Sequence, residues 1–407
     1  MKLLILTQYF PPETGAPQNR LYDLAVRLKD LGVQVTVLTA MPNYPKMEIF
    51  EGYKNKKYLR EEMDGLEIQR TAIYVTKSKR IISRLRNYFS FVYSSWKHGR
   101  KLGKFDYLLC ESPPLFLGYS AIRLSKRLGA KLIFNVSDLW PESAEKLGLV
   151  TNRVLLKMAY RLEAKCYRKS WLITGQTQGI VKSIGERFPQ QRIIWLPNGV
   201  DPEAFRPDTI RSGEFRRKYG ISESDMVLFY GGILGHAQGL DTILRAAAKL
   251  REEKSMKFVL MGSGPLKEEL MGLSKTLQLP NVIFADPVDR KMMNEVIAEI
   301  DLGIIPLKNI PLFLGAIPSK IFELLAMEKP ILLGVEGEAR DLFITEARSG
   351  WSFQPENADD LASTILRVLS DPSEIKVRGK NGRTYVSEKF NRKKIADDFY
   401  KVLVNGN

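Results

Sequence analysis

Short apolar segments alternate with amphipathic segments along this chain, and the alternation restarts once near residue 200. The candidate strands of the first half are Lys2–Thr7, Gln34–Thr39, Ile68–Ile73, Tyr107–Cys110, Leu132–Val136, Leu172–Thr174 and Ile193–Leu196. Those of the second half are Val227–Tyr230, Phe258–Met261, Val282–Ala285, Leu302–Pro306 and Ile331–Gly334. Strands separated by helices are typical of parallel α/β sheets, so we predict an α/β protein with two similar domains.

The boundary is predicted where proline and glycine cluster, in Leu196-Pro-Asn-Gly-Val-Asp-Pro. A chain of 407 residues also exceeds the usual size of one core. We expect domains at 1–198 and 199–389, with a C-terminal helix at about 390–407 that packs back on the first. Ligands of such sheets bind outside the carboxyl ends of the strands, so a cleft between two facing sheets is the expected site.

Composition excludes several classes of protein. With 44% hydrophobic residues the chain is not disordered, and two cysteines support neither a disulfide framework nor a tetrahedral zinc site. No apolar run approaches the ~18 residues of a membrane-spanning helix. The opening MKLLILT is too short for a signal peptide, so we interpret it as a buried strand and expect a cytoplasmic protein.

The net charge of +16 is distributed unevenly. Residues 1–200 hold 33 of the 62 lysines and arginines but 16 of the 46 acidic residues, whereas the remainder holds 29 basic and 30 acidic residues. Between Ile68 and Phe105 there is no acidic residue at all. The excess positive charge therefore belongs to the first domain.

The acid-free segment has the pattern of a basic amphipathic helix. Ile81, Leu85, Tyr88, Val92 and Trp96 recur at helical spacing, with Phe89 and Tyr93 alongside. Arg80, Arg84 and Arg86 lie among them, as expected for a helix in an anionic membrane interface. A second basic stripe is formed by Arg153, Lys157, Arg161 and Lys165. The alternative is that both are solvated helix faces. Nucleic acid is not an expected partner, because no zinc-finger, RRM-like or helix-turn-helix signature accompanies the charge.

Three glycine-containing loops follow predicted strands. Gly15 lies between the first strand and the first helix, where backbone N–H groups can approach an anion, although a tight turn explains it equally. Gly232 and Gly239 belong to Tyr230-Gly-Gly-Ile-Leu-Gly-His-Ala-Gln-Gly-Leu, and Gly262 opens Gly-Ser-Gly-Pro. Together these loops indicate a phosphorylated nucleotide.

A fourth element, Ile317-Pro-Ser-Lys-Ile-Phe-Glu323, is predicted to start a helix at Pro318. Lys320 there adds positive charge suited to a diphosphate, and Glu323, one turn on, can accept two ribose hydroxyls. The alternative is an ordinary i,i+3 surface ion pair.

These residues make the chain similar, over essentially its full length, to the retaining GT-B glycosyltransferases of family 4. The resemblance rests on Gly15, on Pro-Asn-Gly-Val-Asp201, on the loops ending Gln238-Gly239-Leu240 and Gly262-Ser-Gly-Pro, and on Pro318-Ser-Lys-Ile-Phe-Glu323. Pro42-Asn-Tyr-Pro45 and Asp138-Leu-Trp-Pro-Glu-Ser143 resemble the subgroup that builds bacterial O-antigen, capsule and exopolysaccharide.

The resemblance implies two Rossmann-like domains and transfer of a sugar, with retention, from a nucleoside diphosphate sugar. A UDP donor with an N-acetylated amino or deoxy sugar, a lipid-linked saccharide acceptor and peripheral attachment to the anionic inner face of the cytoplasmic membrane are expected. The expected donor-binding residues are Gly15, Gly232, Ile233, His236, Gln238, Gly239, Gly262, Pro287, Val288, Ile317, Pro318, Ser319, Lys320 and Glu323. Acceptor or membrane contacts are expected from Arg20, Asn43, Tyr44, Arg80, Arg84, Arg86, Tyr88, Trp96 and Glu142.

Catalytic roles are expected for Lys320, Glu323 and Asp138; for Asp138 a helix N-cap is the alternative. The leaving diphosphate would be stabilised by Lys320, helix N-termini and loop amides, and it would itself take the acceptor proton. No Asp-x-Asp triplet occurs in the sequence, so no catalytic metal or other cofactor is expected.

The sequence also departs from the family. Gly232 and Gln238 stand where many members carry an Arg and a Lys, so Lys320 is the candidate for supplying the missing charge. The paired glutamates of the family would need a Glu at 315, which is glycine here, so the sugar contact either comes from backbone groups at 315–317 or is absent. The histidine of the acceptor domain is absent from Asn135-Val-Ser-Asp138. A nucleotide-sugar 2-epimerase and a non-catalytic sugar-nucleotide-binding scaffold remain as alternatives.

Overall fold

Apolar strands of the first half pair in a single sheet of eight. In the computed structural model, which describes residues 1–78, 80–208, 212–289 and 292–406, these strands are β1 (Lys2–Leu6), β2 (Gln34–Ala40), β3 (Tyr58–Met63), β4 (Leu66–Thr71), β5 (Tyr107–Ser112), β6 (Lys131–Val136), β7 (Leu172–Gly175) and β8 (Ile193–Trp195). Their order is β3-β4-β2-β1-β5-β6-β7-β8, and β3 is antiparallel to β4 whereas the other pairs are parallel.

Helices cover both faces of this sheet, which is why its central strands are almost continuously apolar. They are α1 (Ala16–Asp30), α2 (Ile81–Gly99), α3 (Gly118–Leu128), α4 (Glu142–Lys146), α5 (Arg153–Lys169) and α6 (Gln178–Arg187), with a 3-10 turn at Leu115–Leu117. Helix α1 shows the expected amphipathic spacing, since Leu21, Leu24, Ala25 and Leu28 are its buried apolar residues.

The second half forms a sheet of six parallel strands in the order β11-β10-β9-β12-β13-β14. The strands are β9 (Met226–Gly231), β10 (Met256–Met261), β11 (Val282–Ala285), β12 (Leu302–Pro306), β13 (Ile331–Gly334) and β14 (Gly350–Ser352). The helices are α7 (Glu214–Lys218), α8 (Asp241–Lys249), α9 (Lys267–Thr276), α10 (Met293–Ala298), α11 (Lys320–Ala326), α12 (Glu338–Arg340), α13 (Ala358–Ser370), α14 (Ser373–Lys389) and α15 (Arg392–Val404). A 3-10 helix spans Pro311–Gly315 and a π-helix spans Asp341–Glu346.

The α/β class predicted from the sequence is confirmed, but two strands were missed. Strand β3 has the sequence YLREEM and alternates exposed with half-exposed residues at the sheet edge, so it lacks the apolar run that identifies a buried strand. Strand β14 has only three residues. Strand β4 begins at Leu66, two residues before the predicted start at Ile68.

The chain divides into two compact units, residues 1–198 with 392–407 and residues 199–391. Helix α15 belongs to the first unit, where Ala396, Phe399 and Leu403 are buried in its core. Tyr107 of β5 donates a hydrogen bond to the carbonyl of Leu403 (2.6 Å). Helix α15, although it is last in the sequence, therefore completes the hydrophobic core of the first unit.

None of the helices in the described parts of the chain combines the length and apolar character needed to cross a membrane.

Truncation of Phe399 tests the packing of α15. Because Phe399 is buried, Phe399→Ala should lower the free energy of unfolding of the first unit by about 3–5 kcal/mol. Val404→Ala is the matched control: its side chain lies on the same helix but is exposed, so its effect should stay within about 0.5 kcal/mol. Urea unfolding followed by tryptophan fluorescence measures both. Equal effects of the two substitutions would contradict the docking of α15.

Candidate functional site

The carboxyl edge of the six-stranded sheet carries two glycine loops that run against each other. The Gly232 N–H donates to the carbonyl of Met261 (2.9 Å), and the Leu234 N–H donates to that of Ser263 (2.9 Å). A Cβ on Gly262, whose φ is +148°, would lie 1.9 Å from the carbonyl oxygen of Gly232. Only glycine fits this approach, so the loops after β9 and β10 form one connected backbone surface.

Lys320 reaches this surface from α11. Its Nζ lies 3.6 Å from the ring centroid of Tyr230 and 3.0 Å from the position that a Cβ on Gly232 would take. The Tyr230 hydroxyl donates to the carbonyl of Ile233 (2.7 Å), which fixes the ring beneath the ammonium group. Burial lowers the pKa of Lys320 to about 7, and the nearby carboxylate of Glu323 acts in the opposite direction. The ammonium group thus occupies a place where a side chain at position 232 would otherwise project.

The remaining predicted residues of the second unit lie around this point of the sheet edge. Ile233 and His236 are exposed, Gln238 is half-buried and Gly239 is buried, all in the loop between β9 and α8. Pro287 and Val288 follow β11. Ile317, Pro318 and Ser319 form the half-buried segment before Lys320, and Glu323 is half-buried on α11.

Two details of this segment differ from the prediction. Helix α11 begins at Lys320 with Ser319 as its N-cap, so Pro318 precedes the helix instead of starting it. The backbone between Gly315 and Ile317 was expected to offer polar contacts, but the Ala316 N–H donates to the carbonyl of Phe313 (3.0 Å) and is already bonded.

In the first unit, Arg20 lies inside a polar cluster at the carboxyl ends of β5, β6 and β7. Its Nη2 pairs with a carboxylate oxygen of Glu111 (2.7 Å) and donates to Ser137 Oγ (2.9 Å), and both partners of the ion pair are buried. Asn135 donates to the same carboxylate and accepts from Thr174. Because its buried guanidinium group is used inside the unit, the predicted membrane contact of Arg20 is wrong, whereas its predicted acceptor contact stays a prediction.

The predicted acceptor residues Asn43 and Tyr44 are held by a buried carboxylate. Glu13 accepts hydrogen bonds from the backbone N–H groups of Asn43 (2.7 Å), Tyr44 (2.8 Å) and Phe10 (3.1 Å). Burial raises the pKa of Glu13, and those N–H groups together with the charge of Arg70 act in the opposite direction. Asn43 is fully buried, whereas Tyr44 is half-buried and packs edge-on against Tyr9. Of the two, Tyr44 is the one placed to meet a ligand.

Asp138 lies two residues beyond the end of β6 and is half-buried. Burial raises the pKa of its carboxyl group, while hydrogen bonds from Ser143 Oγ and the Leu139 N–H lower it. The N-cap of α4 is Pro141, so the alternative role of Asp138 as a helix N-cap does not apply. Glu142, in the first turn of α4, pairs with Lys146 (2.6 Å).

Helix α2 buries one face in its own unit and leaves part of its predicted apolar set exposed. Tyr88 and Trp96 are only half-buried, and the fully buried face consists of Asn87, Phe91, Ser94, Ser95 and Gly99. The exposed apolar residues are Ile82, Phe89 and Tyr93, on a helix whose Arg84 and Arg86 are also exposed, as is Arg80 at its N-cap. Packing against α3 rotates the helix, since Ser95 Oγ lies 3.0 Å from Ser120 Oγ. The basic surface is thus accompanied by the exposed aromatic side chains of Phe89 and Tyr93, two of the predicted set, whereas Leu85, Tyr88, Val92 and Trp96 are half-buried.

Sequence reasoning missed Glu111, Glu13 and Tyr230. Glu111 lies in β5, one residue beyond the predicted strand end, so a longer strand would have placed an acidic residue at the sheet edge. Tyr230 was assigned to a strand without a function. Gly15 is the N-cap of α1, where an added Cβ would meet Gln18 Oε1 at 2.4 Å. Among the described residues, no group of three or more His, Cys, Asp and Glu side chains is arranged to hold a metal ion.

Two family models match the chain. One, described as "Glycosyl transferases group 1", matches residues 212–385, and the other, described as "Glycosyltransferase Family 4", matches residues 18–204. The chain therefore belongs to the GT-B glycosyltransferases of family 4, and it is a glycosyltransferase.

Relatives and solved structures agree with this assignment. An Escherichia coli K12 protein named as a colanic acid biosynthesis glycosyl transferase, WcaI, is 24% identical over 387 residues, covering 91% of this chain and 93% of the relative. A Mycobacterium tuberculosis GDP-mannose-dependent alpha-(1-6)-phosphatidylinositol monomannoside mannosyltransferase is 22% identical over 278 residues, covering 62% and 72%. The structure of Anabaena Alr3699/HepE in complex with UDP and glucose has a TM-score of 0.75 at 16% identity and covers both chains completely, a likeness of fold.

Two glycine substitutions test the connected loops. Gly262→Ala forces a Cβ into the carbonyl of Gly232 and should cost at least about 1–3 kcal/mol from the backbone conformation alone. Gly272→Ala, at an exposed position of α9 with no atom within 4 Å of the new Cβ, should raise stability by about 0.5–1 kcal/mol. Chemical unfolding of the full chain measures both, and the same sign for both substitutions would contradict this account.

Proposed function

We propose that this glycosyltransferase moves a sugar, with retention of anomeric configuration, from a UDP-linked donor to a lipid-linked saccharide. The proposed transferred group is a hexosyl or N-acetylhexosaminyl group, and this includes N-acetylated amino sugars and deoxy sugars. The reaction would belong to bacterial surface polysaccharide synthesis, such as that of O-antigen or capsule. The observation that carries the proposal is the position of Lys320 against the glycine loops of the second unit.

The donor is supported by chemistry at the sheet edge. Loop amides after β9 and β10, together with one ammonium group, suit the two charges of a diphosphate diester. Because Lys320 is flanked by Tyr230 and by a glycine, its ammonium group can approach a phosphate without a neighbouring side chain intervening. Glu323, one turn further along α11, supplies acceptor oxygens for the ribose hydroxyls. The UDP bound to the Anabaena neighbour is consistent with this donor class.

In this mechanism the work of the chain is electrostatic. Lys320 and the loop amides stabilise negative charge that accumulates on the leaving diphosphate as the glycosidic bond breaks. The departing phosphate oxygen then accepts the proton of the acceptor hydroxyl. Asp138, half-buried just beyond β6, would orient the acceptor.

The acceptor and the location are supported by charge. Exposed Arg80, Arg84 and Arg86 accompany exposed aromatic residues on α2, a combination that favours an anionic lipid surface. We place the enzyme at the inner face of the cytoplasmic membrane as a peripheral protein. The name of the mycobacterial relative includes a lipid, phosphatidylinositol monomannoside, and a lipid-linked saccharide is the same type of substrate.

Thermal stabilisation by a panel of nucleoside diphosphate sugars, with and without Mg²⁺, tests the donor. A donor at 100 times its Kd should add about 2.7 kcal/mol. Lys320→Met should abolish this shift and lower kcat by about 10²–10³, because a charge that stabilises the transition state is lost. Lys275→Met, an exposed lysine on α9, is the control. Stabilisation retained in Lys320→Met would overturn the proposed donor site, and NMR of the product anomer would test retention.

A second prediction concerns pH. Since the pKa of Lys320 is about 7, the free protein loses this positive charge as pH rises above 7, whereas binding an anion requires it. Affinity for a nucleotide sugar should therefore fall by up to about tenfold per pH unit above 7. Calorimetry at pH 8 in buffers of different ionisation enthalpy should show uptake of one proton per donor bound.

The sugar-linked donor is the appropriate ligand here, because its diphosphate diester does not titrate in this range. Lys320→Arg, which remains charged, should remove both the pH dependence and the proton uptake. The same slope in Lys320→Arg would show that another group is responsible.

A further inference from the structure

Most of the exposed large apolar residues in the described part of the first unit come from two segments that are far apart in sequence; Tyr58, Tyr74 and Val404 are the others. One is α2, with Ile82, Phe89 and Tyr93, and the other is the region of α4 and α5, with Leu147, Leu149, Val154 and Met158. Leu149 is 63% exposed and Met158 is 54% exposed. Because large side chains are normally withdrawn from water, such a concentration marks a binding surface.

The two segments line the same apolar pocket, of about 270 Å³. Phe116 lines it and contacts the rings of Phe89 (5.0 Å between centroids), Tyr88 (5.8 Å) and Trp140 (5.5 Å). The other lining residues are Arg84, Leu85, Tyr119, Ala144, Leu149, Val150, Leu155, Leu156, Met158 and Ala159. Arg84 is the one charged side chain among the described residues of this lining.

A second, basic pocket of about 690 Å³ adjoins the first, and Leu156 lines both. It is lined by Arg153, Lys157, Arg161 and Arg168, with Leu156, Tyr160, Ala164 and Glu145. The Glu145 carboxylate accepts a hydrogen bond from the Tyr160 hydroxyl (2.5 Å), so four cations face a single acidic group that already has a partner. Arginine and lysine at this density favour a phosphate.

An apolar pocket that shares a wall with a cationic one matches a ligand with a hydrocarbon part joined to an anion. We propose that the two pockets bind one isoprenoid phosphate, its chain in the apolar pocket and its phosphate among Arg153, Lys157 and Arg161. The volume of the apolar pocket is below that of a typical drug-sized site, which fits a segment of one chain better than a two-chain phospholipid. The proposal rests on the lipid-linked acceptor proposed above and assigns the place where its lipid is held.

Binding of farnesyl phosphate to the full chain, measured by calorimetry, tests the proposal. Farnesyl phosphate should bind, whereas farnesol and inorganic phosphate should each bind at least about tenfold more weakly, because each satisfies one pocket only. Leu149→Ser combined with Met158→Ser should weaken binding at least about tenfold, and so should Arg153→Gln combined with Arg161→Gln.

The matched controls lie outside both pockets. Leu366→Ser removes an exposed leucine of the second unit, and Arg127→Gln removes an exposed arginine of α3. Both should leave the Kd unchanged. An equal loss of affinity in a control and in a pocket variant would overturn the proposal. A second outcome would also overturn it: the chain self-associates, and the Leu149 and Met158 substitutions abolish this self-association without changing farnesyl phosphate binding.

Vesicle flotation identifies the source of the phosphate. Phosphatidylcholine vesicles containing undecaprenyl phosphate should retain more protein than vesicles with phosphatidylglycerol at equal surface charge, and the Leu149 and Met158 substitutions should remove this difference. Equal retention on both would show a general anionic surface and overturn the isoprenoid site. Farnesyl phosphate binding is measured without donor, so its outcome is separate from that of the sugar transfer proposed above.

Discussion

The contact between the backbones of Gly232 and Gly262 is the constraint on which the second unit's ligand surface depends. Neither position tolerates a side chain: one faces a carbonyl oxygen and the other faces the ammonium group of Lys320. With both side chains absent, two strand ends that are adjacent in the sheet can share one layer of peptide groups. The cation is therefore delivered from α11, a different element, rather than from the loop itself.

Much of the fold follows from local sequence because strands buried on both faces must be apolar throughout. The five strands predicted for the second half all exist, with ends that differ by at most two residues. Strand β3 could not be found in this way, since half of its residues face water and its sequence carries four charges or polar groups in six positions. Its partner β4 supplies the apolar face that holds it.

The site was harder to predict from the sequence, because the exposure and the pKa of a charged side chain depend on neighbours that composition does not give. Arg20 counts toward the basic excess, yet its guanidinium group is neutralised inside the unit by Glu111. The pattern of α2 correctly predicts a helix, but its buried face is decided by where α3 lies. Lys320 could be selected from its motif, whereas the fall of its pKa comes from burial by the folded protein around it.

In the proposed donor site, a lysine on α11 takes the place of the basic residues that many family members carry in the glycine loop. A lysine or arginine in the flexible loop would be hydrated and permanently charged. Ordering its side chain against the donor would cost conformational entropy at each binding event. Lys320 is already held against an aromatic ring, and because burial lowers its pKa to about 7, its charge is disfavoured until an anion arrives. Lys320 would therefore become charged when the diphosphate binds, and its attraction to the diphosphate would be strongest when negative charge accumulates on the leaving diphosphate. That is the condition for lowering a barrier rather than merely binding a substrate.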